Sequence, residues 1–70
     1  MSSTTEEAKV VGVVCDAAGG LTVTVWLKSP GEQRLLCDVP CRTMGEVQEI
    51  TNSHALRRGV PLHRVEFVHK

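Results

Sequence analysis

The run Leu21-Thr22-Val23-Thr24-Val25-Trp26-Leu27-Lys28 alternates apolar and polar residues with period 2 at every position but one. With side chains pointing to opposite faces of a strand in turn, Leu21, Val23, Val25 and Leu27 share one face, and Thr22, Thr24, Trp26 and Lys28 share the other. This commits the middle of the chain to a half-buried strand, and a half-buried strand needs both neighbours and a cover. Trp26 breaks the pattern. It is the single tryptophan, one of only two aromatic residues, and it falls on the face where solvent is expected. A large aromatic there is a candidate contact residue.

The flanking sequence supplies the neighbours. Lys9 to Cys15 is a β-branched run, and Asp16-Ala17-Ala18-Gly19-Gly20 predicts a loop of about five residues joining it to the strand 21–28 as a hairpin. Ser29-Pro30-Gly31-Glu32-Gln33 places Pro and Gly for a second reversal. Arg34 to Val39 is the third strand, with Pro40 as its stop. Thr43-Met44-Gly45-Glu46 matches a capping box, in which the Thr43 hydroxyl accepts from the Glu46 amide and Glu46 reaches back. A helix from Met44 to Arg58 follows. Gly59 is placed for the left-handed position beyond it, with Arg57 and Arg58 near the negative end of the helix dipole. Pro61 prevents continuation, and Leu62 to His69 reads as a fourth strand.

The order β-β-β-α-β predicts an α+β fold: a four-stranded mixed sheet with a single helix packed on one face and the other face open. The fourth strand pairs with either the first or the third. Pairing with the first is preferred, because it gives the most apolar strand two neighbours.

One helix covers one sheet face. Its stripe comprises Met44, Val47, Ile50, Thr51, His54 and Ala55, while Leu56 falls nearly opposite Val47 and is either exposed or marks a distorted last turn. The covered sheet face is expected to hold Leu21, Val23, Val25, Leu27, Leu35, Cys37, Val39, Val65 and Phe67. Val11, Val13 and Cys15 are placed with them, although the first strand is apolar on both sides. The open face then receives Val10, Val14, Asp38, Leu62, Glu66 and Val68 around the expected interaction surface of Trp26, Leu36, Thr24, Lys28, Arg34 and Arg64. An exposed apolar cluster with a polar rim has the make-up of a docking site.

Size and charge limit the function classes. Seventy residues suit one domain, taken as residues 9–70 behind a flexible tail of residues 1–8. That tail is polar and slightly acidic, so it reads as neither a secretory signal nor a mitochondrial presequence. No apolar run approaches the roughly 18 residues of a membrane span, so a cytoplasmic location without membrane contact is expected. Three cysteines without a secretory context predict reduced thiols.

Catalytic chemistry finds little support. Cys37 and Cys41 have a Cys-x3-Cys spacing, but there is no second cysteine pair, and His54 lies about 15 Å along the helix from Cys41. No metal or cofactor is expected. Cys41 alone is a candidate reactive thiol, since it sits before a helix N-terminus and beside Arg42, where positive potential lowers a thiol pKa. Ser53 points away from its neighbour His54, and Glu46 and Glu49 lie on the polar side of the helix. No glycine-rich phosphate loop precedes a helix.

The leading expectation is a non-catalytic module that docks a protein partner or a second copy through the face around Trp26. The alternative is single-stranded nucleic acid stacking on Trp26, supported by the basic residues Arg57, Arg58, Arg64 and Lys70. The formal net charge of zero and the lone sheet aromatic make it the weaker reading.

Overall fold

Glycines turn the first three strands back on one another. In the computed structural model, which describes residues 8–70, β1 (Lys9–Ala17), β2 (Gly20–Ser29) and β3 (Glu32–Cys41) form an antiparallel meander. The first connection is shorter than the expected loop. Asp16 and Ala17 pair with Leu21 and Gly20, leaving Ala18-Gly19 as a two-residue turn. Gly19 and Gly31 occupy the second turn position with φ of 82° and 79°. Among the described residues no non-glycine residue has positive φ, so both turns have the type II pattern, with Pro30 ahead of Gly31. Pro40 does not stop β3. It pairs with Thr22 inside the strand, as an edge strand tolerates because half its N–H groups face no ladder.

The helix α1 (Met44–Arg57) begins as the capping box requires. The Glu46 amide donates to Thr43 Oγ1 at 3.2 Å, and Glu46 Oε1 accepts from the Arg42 amide at 2.6 Å, one residue further back than expected. Its C-terminus is a Schellman motif. Gly59, at φ 74°, donates to the Leu56 carbonyl and Val60 to the Ala55 carbonyl. Val60 and Ala55 are both buried there. After Pro61 the chain makes one 3₁₀ turn, Leu62–Arg64, so β4 (Val65–His69) begins three residues later than the sequence pattern implies.

β4 pairs in parallel with β1, giving the order β3-β2-β1-β4. The preferred position of the fourth strand is the observed one, and the fold is the expected α+β architecture. Helix residues Val47, Thr51 and Ala55 are buried against the sheet at one-turn spacing. Together with Val10, Val14, Val23, Val25 and Val60 they form the centre of the core. Ala8, expected in the flexible tail, is also buried in this core; residues 1–7 of that tail lie outside the described residues.

The phase of β1 is the reverse of the expected one. Val10, Gly12 and Val14 face the helix, while Val11, Val13 and Cys15 face away. Register and close approach both fix this. Val14 pairs with Val23 and Gly12 with Val25, and a Cβ on Gly12 would lie 2.7 Å from Thr51 Oγ1. Glycine is therefore what lets α1 settle onto β1.

Candidate interaction face

The helix-free face is organised by one extra residue in β3. Val25 pairs with Cys37, yet Trp26 pairs with Leu35, so Leu36 is a β-bulge. A bulge adds one residue to a strand whose side chains otherwise alternate, and it shifts the phase of everything beyond it. Leu36 packs against the core cluster. Leu35 instead stands beside Trp26 and is 51% exposed.

Across the sheet, cross-strand partners Leu35, Trp26, Val11 and Glu66 form one row. The next row on the same face is Asp38, Thr24, Val13 and Val68. Five apolar side chains on four strands thus meet at the centre: Leu35, Trp26, Val11, Val13 and Val68. Their rim is polar. Lys28 pairs in register with Lys9, whose ammonium contacts Glu66 Oε2 at 3.2 Å. Val11 is buried although no helix covers it; in register it lies between Trp26 and Glu66. Trp26 itself is half-buried.

Three of the six expected surface residues belong to this face: Trp26, Thr24 and Lys28. The others do not join it. Leu36 turns inward at the bulge. Arg34, re-phased by that bulge, lies opposite Leu27 on the helix side, where it lines an open cleft of about 230 Å³ with Arg58 and Val60 and contacts Glu32 at 3.5 Å. Arg64 sits in the 3₁₀ turn before β4. Expected open-face residues Val10 and Val14 are core residues, replaced by Val11 and Val13. Gly12 carried the signal for this exchange, since a mid-strand glycine marks where another segment approaches closely.

Cys41 lies in an environment different from the one expected. It is 6% exposed, and burial raises its thiol pKa, with the Glu46 carboxylate and Cys37 adding to the rise. The same capping box that starts the helix brings a carboxylate to its N-terminus, offsetting the positive potential expected to activate the thiol. Burial and the raised pKa both work against activation of this thiol. Burial, followed by the Asp38 charge, also raises the Cys37 pKa.

His54 lies at the margin of the helix stripe with its Nδ1 buried and unpartnered among the described residues. Burial lowers its pKa, and the nearby Arg58 and Arg57 lower it further, so the imidazole is neutral at pH 7. Arg57 and Arg58 end the helix, on the side of the sheet opposite Trp26. Two of the four basic residues invoked for nucleic acid, Arg57 and Arg58, therefore do not adjoin the aromatic. Among the described residues no group of three or more His, Cys, Asp or Glu side chains is placed to hold a metal ion. No helix is long and apolar enough to cross a membrane.

Fold and face together define a small α+β domain with its helix packed on one sheet face and, among the described residues, no element on the other. No protein-family model, curated protein or solved structure matches the chain.

Proposed function

We propose that this protein is a non-catalytic interaction module that docks a protein partner through the helix-free sheet face around Trp26. The observation that supports this most directly is the row Leu35-Trp26-Val11. It places a half-buried tryptophan between an exposed leucine and a buried valine, on the side of the sheet that no described helix covers. An apolar centre inside a mixed-charge rim of Lys9, Lys28, Asp38 and Glu66 matches the make-up of protein interfaces, in which tryptophan is the most enriched anchor.

Strand spacing and rise limit the face to about 600 Å². That is below the roughly 800 Å² per partner of a standard stable interface, so the docking is of the transient kind. Single-stranded nucleic acid is the weaker reading, because Arg57 and Arg58 lie across the sheet from Trp26.

Affinity capture with the immobilised protein, with and without nuclease, tests the proposal. A protein partner should be retained after nuclease treatment. It should be lost when Trp26→Ala is the bait, because a hot-spot truncation weakens binding by about 2 kcal/mol, or roughly 30-fold. Capture unchanged by Trp26→Ala, with the variant as stable as the parent, would remove this face from the function.

A further inference from the structure

The sheet has two edges, and they are finished differently. The β3 edge carries Glu32, Arg34, Asp38, Pro40 and the Leu36 bulge. Charges, proline and a bulge are the devices that keep an edge strand from pairing with another chain. β4 has neither proline nor bulge, and its one acidic residue, Glu66, is held by Lys9. Phe67 and Val68 on this strand are 40% and 43% exposed.

A further exposed leucine, Leu62, is in the turn leading into β4. Three of the six exposed large apolar residues among the described residues thus lie on β4 or in the turn before it.

The backbone is set for pairing there. The Lys70 amide donates to the Val14 carbonyl at 2.8 Å. In a parallel ladder this directs the peptide groups of Glu66, Val68 and Lys70 toward β1 and those of Val65, Phe67 and His69 outward. The Val65 amide is already used by the Leu62 carbonyl. The Val65 carbonyl and both peptide groups of Phe67 and His69 remain directed away from the sheet.

We propose that a second copy of this chain pairs antiparallel with this edge, β4 against β4, across a two-fold axis at Phe67. The full overlap of a five-residue strand sets the register. Phe67 lies opposite Phe67 of the second copy, Val65 opposite His69, and Glu66 opposite Val68. The outward groups then make about four backbone hydrogen bonds, and the two Phe67 rings meet on the helix side. On the other side the sheet continues across both copies, so two Trp26 faces lie side by side. This pairing does not depend on the Trp26 face binding any partner.

A charge swap at Val68 tests the register. Val68→Glu places a carboxylate opposite Glu66 in each of the two symmetric pairs, whereas Val68→Lys places an ammonium there, at the separation of directly opposed residues. Sedimentation velocity from micromolar to millimolar protein should show a monomer–dimer equilibrium for the parent. Val68→Glu should raise the dissociation constant tenfold or more, Val68→Lys should leave it unchanged or lower, and Trp26→Ala should not affect it. Hydrogen exchange at the Phe67 and His69 amides should slow as concentration rises. A parent that stays monomeric throughout overturns the proposal. So does equal weakening by both Val68 variants, or a dimer lost in Trp26→Ala and kept in Val68→Glu.

Discussion

Substituting Gly12 by alanine should destabilise the protein, even though alanine in a strand is ordinarily favoured over glycine by about 0.5–1 kcal/mol. The new methyl would lie 2.7 Å from Thr51 Oγ1 and 3.3 Å from both Thr51 Cγ2 and Phe67 Cδ1. Thr51 has no room to retreat. It is fully buried, and its hydroxyl donates to the Val47 carbonyl at 2.8 Å. Relief requires α1 to lift off β1, or Thr51 to change rotamer and give up that bond. Overpacking of this kind costs about 1–3 kcal/mol, which outweighs the gain from replacing glycine and leaves a net loss of about 1–2 kcal/mol. At this chain length the melting temperature should fall by about 5–15 °C. Urea titration of Gly12→Ala, Thr51→Ala and the double variant measures the loss and its cause. Since Thr51→Ala removes two of the three close atoms, including the nearest, the double variant should be about 1 kcal/mol more stable than the two single effects imply. A Gly12→Ala protein as stable as the parent would refute the account of how the helix meets the sheet.

Thiol labelling of the native protein should modify Cys15 first, since it is half-buried on the helix-free face, and Cys41 last, since it is buried with a raised pKa; the three rates should converge in denaturant. Lowering the pH should reduce stability through His54, whose folded pKa lies below its ordinary value. The unfolded chain then binds the proton more readily, so this contribution is intact above about pH 6.5 and is lost as pH falls through the folded pKa. In His54→Gln the slope of unfolding free energy between pH 7 and 5.5 should flatten. Thr43→Ala removes the acceptor for the Glu46 amide and should cost about 1 kcal/mol by urea titration.

Turns, caps and periodic segments made the architecture legible from the sequence. Thr43, Glu46 and Gly59 act locally, so residues within one helical turn determine their roles. The β2 alternation is equally local. The faces of β1 and β3 are not. β1 is apolar on both sides, so its phase depends on which face meets α1, and that contact joins Gly12 to Thr51 across the sequence. The Leu36 bulge leaves no period-2 signature, because Leu35 and Leu36 are equally apolar and either can face the core. Arg34 and Leu35 consequently exchange sides, which is why Leu36 and Arg34 leave the expected surface set, while Arg64 leaves it because a 3₁₀ turn precedes β4. Leu56 resolves simply: the last helical turn closes in a regular motif, and the side chain is 63% exposed.

The strand order also constrains synthesis. β1 is central in the sheet yet first of the strands to be made, and its parallel neighbour β4 is the last. The two hairpins can form as soon as their turns emerge, because their partners are adjacent in sequence. Until Val65–His69 have been translated, β1 has a vacant edge toward which Val10, Gly12 and Val14 direct their peptide groups. The nascent meander is therefore an incomplete sheet with its most apolar strand on the outside, and Val65–His69 act on it as a latch.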